Sequence, residues 1–99
     1  MPKFNFVFSG VSKASSKSKI ELFVIEKAKA LREEAKISQS ELAFALGVSN
    51  GFIGQVESSK SPSKYNLDHI DKLAKIFKCS PKEFLPDSSL NKDSEEPLP

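Results

Sequence analysis

Residues 37–57 read ISQSELAFALGVSNGFIGQVE, and their pattern decides the fold. Ser38 and Glu41 form an S-x-x-E capping box, in which side chain and backbone satisfy each other's donors at a helix N-terminus. Leu42, Ala43 and Leu46 follow at i, i+1 and i+4, so one side of that helix is apolar. Gly47 supplies the left-handed residue that ends it, and Val48 turns the chain back toward the core. Ser49 is placed to cap a second helix, whose apolar positions Phe52, Ile53 and Val56 face one way. The other face carries Asn50, Gly51, Gly54 and Gln55, small or amide residues without charge.

Two short helices, a tight glycine turn and an amide-bearing outer face describe a helix-turn-helix, a motif whose second helix enters the DNA major groove. Gln39, Glu41-Leu42-Ala43, Gly47-Val48-Ser49, Ile53 and Glu57 together resemble the Xre family of phage-repressor-like (Cro-type) helix-turn-helix proteins. The resemblance runs from about Ile25 to Leu85. It implies an all-α, five-helix phage-repressor-like DNA-binding domain with the helix-turn-helix at its centre. It further implies sequence-specific binding of double-stranded DNA by a homodimer on a palindromic operator, with half-sites about one helical turn apart. The implied role is a transcriptional regulator, with repression ahead of activation.

Composition agrees with one small domain. The chain has 99 residues, 38% hydrophobic and 28% charged, which suits a globular protein with a modest core. No apolar run approaches the roughly 18 to 20 residues of a membrane span, and the short run around residues 4–8 is too interrupted for a signal peptide. The single cysteine, Cys79, excludes an intramolecular disulfide, so the expected compartment is the reducing cytoplasm. Net charge is +2, divided between +5 over residues 1–86 and −3 over residues 87–99. A basic domain with an acidic tail suits a nucleic-acid partner, although the excess is small.

The chain divides into a flexible N-terminal arm (1–17), the helix-turn-helix domain (18–86) and an acidic disordered tail (87–99). In the arm, Phe4, Phe6 and Phe8 alternate with period two. That pattern fits a loose tail, an edge strand packed on the domain or across a dimer, or a minor-groove arm using Lys13, Lys17 and Lys19. A second capping box, Ser18 with Glu21, opens a first helix over residues 19–36. Its buried stripe is expected to contain Phe23 or Val24, then Ala28, Leu31 and Ala35. After a polar loop over residues 58–66, Asn66 caps a fourth helix whose stripe is Leu67, Ile70, Leu73, Ala74 and Phe77. Ser80-Pro81-Lys82-Glu83 is a third capping box and opens a short fifth helix that Pro86 closes.

Asn50 and Gln55 are the candidates for base reading, because an amide matches the donor and acceptor that adenine offers in the major groove. Both would equally suit a solvated helix face. Gly51 and Gly54 each cost the helix about 1 kcal/mol against alanine, so either DNA approaches closely there or the positions have drifted. Gln39 and Ser40 sit at a helix N-terminus, where free N–H groups and the macrodipole favour a phosphate, and the resemblance assigns Gln39 to the DNA backbone. Ser49, Ser58, Lys60 and Lys64 flank the recognition helix as further phosphate contacts, unless the Ser/Lys-rich loop is only a connector. Tyr65 suits either a phosphate or the edge of the core. The resemblance also pairs Arg32, late in the first helix, with Glu57 at the end of the third.

Enzymatic readings are poor. One His and one Cys assemble no zinc cluster, and neither a phosphate-cradling glycine loop nor a nucleophile elbow is present. His69 falls on the polar side of its helix and Cys79 suits core packing. The chain is therefore not expected to be an enzyme or to need a cofactor or metal. The competing reading is an antitoxin or protein-interaction module that uses the arm or tail for a protein partner. Against it, the tail offers only Leu90 and Leu98 as apolar anchors.

Overall fold

The computed structural model describes residues 17–91; the expectations for the Phe4, Phe6 and Phe8 run, for Lys13 and for residues 92–99 lie outside them. The described residues form four α-helices, α1 (Lys19–Glu34), α2 (Gln39–Leu46), α3 (Phe52–Glu57) and α4 (Leu67–Phe77), then a 3₁₀ turn (Pro81–Phe84). Starts follow the sequence closely. Ser18 with Glu21 and Ser38 with Glu41 both close as reciprocal capping boxes. Asn66 caps α4, and there the returning partner is His69, whose Nδ1 accepts from the Asn66 N–H at 3.0 Å.

Three helix ends share one geometry. Lys36 (φ 60), Gly47 (φ 79) and Lys78 (φ 57) take the left-handed conformation. The next residue then reaches back by its N–H: Ile37 to the Arg32 carbonyl, Val48 to Ala43 and Cys79 to Ala74. This is the Schellman ending, whose returning residue packs on the core, and Ile37, Val48 and Cys79 are all partly buried against it. Only Gly47 adopts the conformation without steric cost; each lysine costs about 1 kcal/mol. The first helix thus stops at Glu34 rather than Lys36, because Lys36 is already outside the helical region.

The core joins Val24, Ile25 and Ala28 of α1, Leu42, Ala43 and Leu46 of α2, Ile53 and Val56 of α3, and Ile70, Leu73 and Ala74 of α4. Val24, not Phe23, faces inward, and Phe23 is 38% exposed. Leu67 departs from its expected stripe and is 78% exposed, because the first residue of α4 lies beyond the edge of the core. Ala35 is likewise exposed, as the cap of α1, and Leu31 is only partly buried.

The expected fifth α-helix is a single 3₁₀ turn. Leu85 precedes Pro86, and proline forces it to extended backbone (φ −113, ψ 149), which leaves four residues for the turn. Ser80 consequently caps the Lys82 N–H, while the Glu83 N–H goes to the Ser80 carbonyl, so the third capping box does not close. The turn still matters to the fold: it packs on α1 and α4 and buries Phe84 completely. Burying such a ring is worth about 2–3 kcal/mol.

Candidate nucleic-acid interface

α2 and α3 are joined by a turn in which Gly47 reverses the chain and Ser49 accepts the Phe52 N–H at 3.0 Å through its carbonyl. Ser49 was expected to cap α3 by its side chain. It does not, because Gly51, in helical conformation (φ −90, ψ −4), stands immediately before the helix and no side-chain cap forms. Asn50 and Gly51 therefore project from the turn ahead of α3 rather than from its first helical residues, and both are exposed. Gln55 is exposed on α3, and its Oε1 accepts from Ser63 Oγ at 3.3 Å. That bond joins the following loop to α3.

Glu57 ends α3 and is the hub of the site. Arg32 Nε and Nη2 donate to its two oxygens at 3.0 and 2.9 Å, a bidentate pair. Arg32 Nη1 donates to the Ile37 carbonyl at 3.0 Å, at the junction between α1 and α2. The two side chains are only 11% and 5% exposed, and the bonds to Glu57 hold the guanidinium pKa above its ordinary value despite partial burial. Gln39 Nε2 donates to the same Glu57 Oε1 at 2.9 Å. One carboxylate thereby ties α1, the start of α2 and the end of α3 together. In this arrangement Gln39 lies across α3, with its Oε1 3.3 Å from where a Gly54 Cβ would stand. A side chain at position 54 would crowd Gln39 by a few tenths of an ångström. Gly51 has nothing within 4 Å of where its own Cβ would stand, and nothing in the structure explains it.

The phosphate candidates separate. Gln39 and Ser40 open α2, and both are exposed. Ser58 Oγ accepts the Lys60 N–H at 3.1 Å, shaping the loop, and the Lys60 side chain is exposed. Lys64 is turned elsewhere: its Nζ is 2.9 Å from Glu21 Oε2 at the start of α1. The Glu21 carboxyl lies below its ordinary pKa, first through the Ser18 N–H and then through Lys64.

Tyr65 plugs the core edge. It is 93% buried by its 7% exposure, and its hydroxyl has no hydrogen-bond partner among the described residues. Burial raises its pKa well above the ordinary phenol range. Its ring meets Phe52 and His69 at centroid distances of 6.3 and 5.9 Å, and Phe52 meets His69 at 5.2 Å. His69, expected on the surface, is half-buried, caps α4 and packs against the first residue of α3. Lys17 was also missed. Assigned to the arm, it instead donates to the carbonyls of Val56 and Ser58. No spacing rule signals such a contact across about forty residues.

Among the described residues no group of three or more His, Cys, Asp or Glu could hold a metal, and no helix is long and apolar enough to cross a membrane. Neither a curated protein nor a solved structure matches the chain. A helix-turn-helix family model matches residues 29–84, which span the end of α1, the whole α2–α3 motif, α4 and the 3₁₀ turn. With more than half of the chain matched across the elements that build this interface, the protein belongs to the Xre/Cro-type helix-turn-helix family, whose domains bind DNA and are not enzymes.

Proposed function

We propose that the protein is a sequence-specific transcriptional regulator, more a repressor than an activator, that reads double-stranded DNA with α3. The observation that carries this reading is the uncharged exposed surface of Asn50 and Gly51 in the turn before α3 and of Gln55 on α3, whose far end is fixed by Arg32, Glu57 and Gln39. A rigidly held amide face suits adenine in the major groove. Gln39, Ser40, Ser49, Ser58 and Lys60 grip phosphates around it, which sets register without reading sequence. Lys64 contributes less, since Glu21 holds its ammonium. One short helix reads few base pairs, so a homodimer on a palindromic site supplies full specificity.

The test is selection of a preferred site from a random duplex library, followed by titration against single-base variants of that site. Asn50→Ala and Gln55→Ala should each lose about 1–3 kcal/mol at the preferred site and relax preference at one position per half-site. Stability should move by less than about 0.5 kcal/mol, because both side chains are exposed. If neither variant changes the pattern of preferences, α3 is not the reading element, and a protein-interaction role such as that of an antitoxin takes precedence.

A further inference from the structure

The loop over residues 58–64 is held at both ends by the same short stretch of chain. At its start, Lys17 Nζ donates to the Val56 carbonyl at 2.6 Å and to the Ser58 carbonyl at 2.7 Å. At its end, Lys64 Nζ meets Glu21 Oε2 at 2.9 Å. Between Lys17 and Glu21 stands the Ser18–Glu21 capping box, which fixes the backbone that presents both side chains. Lys17, Ser18 and Glu21 all lie before residue 29, where the family match begins. We propose that residues 17–21 brace the loop behind the recognition helix in its phosphate-gripping shape, with Lys17 as the positioning residue. The inference rests on the DNA-binding reading and deepens it.

The physical need is plain. The last carbonyls of a helix have no internal partners and carry the negative end of its dipole, which a cation answers best. α3 has six residues and no side-chain cap at its start, so contacts at its end carry much of its placement. Glu57 is gripped from one side by Arg32 and Gln39 through its side chain. Lys17 grips the residues on either side of Glu57 through their carbonyls. Its ammonium also offsets negative potential at the point where the loop turns toward the phosphates. Desolvation at this position, only partly countered by Glu21, lowers the lysine pKa.

The experiment uses the full chain with Lys17→Met, which keeps the stem and removes the donors, and Lys17→Arg, which restores them. In the free protein, Lys17→Met should shift the amide resonances of residues 56–61 and speed their hydrogen exchange, leaving those of α4 in place. Affinity should fall about tenfold for preferred and random duplexes alike, on the scale of one charge-assisted hydrogen bond. Base preferences should be unchanged, and Lys17→Arg should recover most of the loss. Should Lys17→Met not fold, cross-peaks between the Lys17 ammonium protons and Val56 or Ser58 in the parent chain decide the contact, and their absence overturns it. Undisturbed amides over residues 56–61 overturn the brace whatever the DNA result. Disturbed amides with unchanged affinity overturn its part in binding. A parent chain that binds no duplex overturns the DNA reading itself, and the brace's role in binding with it.

Discussion

The side-chain oxygen of Gln39 lies 3.3 Å from the point a Cβ on Gly54 would occupy, so the first residue of α2 and the middle of α3 are in contact across the helix-turn-helix. The contact couples any side chain at position 54 to the orientation of Gln39. Gly54→Ala should gain up to about 1 kcal/mol of helix propensity while pushing an exposed, flexible glutamine aside. Thermal stability should hold or rise slightly, and affinity for DNA should fall as Gln39 leaves Glu57. Melting curves paired with duplex titrations check this; undiminished binding would mean that the placement of Gln39 is irrelevant to DNA.

Arg32 and Glu57 form the least exposed ion pair among the described residues. Removing either partner strands a charge in a place where water cannot fully replace it. Arg32→Ala and Glu57→Ala should each cost about 2–4 kcal/mol, and the double variant less than their sum. Glu57→Ala should also release Gln39, so it should harm DNA binding more than Glu57→Gln, which keeps an acceptor. Urea unfolding of the full cycle measures the coupling, and additive losses would contradict the geometry.

Two helices end on a left-handed lysine where glycine would fit without strain. Lys78→Gly should stabilise the fold by about 0.5–1 kcal/mol, since the relief at positive φ exceeds glycine's extra freedom in the unfolded chain. Gly47→Ala should destabilise by a similar amount for the opposite reason. Chemical denaturation of the two variants should displace the midpoint in opposite directions.

His69 makes stability depend on pH. Its Nδ1 must be unprotonated to accept from Asn66, and desolvation, with Lys72 beside it and Asp68 partly opposing, lowers its folded pKa below the ordinary 6.5. The unfolded chain therefore binds the proton more readily than the folded one in the window below about pH 6.5. This contribution is complete above that value, declines as pH falls through it, and levels off once the folded imidazole is also protonated. His69→Gln keeps a capping acceptor without titrating and should flatten the profile between pH 7 and 5. Glu21, whose folded pKa is lowered, acts in a separate window below its ordinary 4.5.

Lys60 and Lys64 should differ in their response to salt. Lys60 is exposed and unengaged in any ion pair of the described residues, whereas Lys64 is held by Glu21. Lys60→Ala should reduce the slope of log affinity against log salt by about one. Lys64→Ala should reduce it by less and should loosen the loop. Equal slopes for both variants and the parent would remove the loop from the phosphate contacts.

The sequence by itself determined the order of the helices, most of their starts and the identity of the family. Capping boxes such as Ser38 with Glu41, the left-handed Gly47 and the spacing of Leu42, Ala43 and Leu46 are local, so residues within four of one another suffice to specify them. What failed at the helix ends was still nearly local: Lys36 and Lys78 adopt a glycine's conformation, and Pro86 reaches back through Leu85 to shorten the last turn. Only the tertiary structure decided what the site's side chains do. Gln39 rests on Gly54 and Glu57, Lys64 turns to Glu21, His69 joins Phe52 and Tyr65, and Lys17 spans some forty residues to the end of α3. Apart from the neighbouring Tyr65 and His69, each of these joins segments distant along the chain. The geometry that brings them within hydrogen-bond reach is set by the packing of Leu42, Ile53, Leu73 and Phe84 in the common core, a three-dimensional condition that no local pattern encodes.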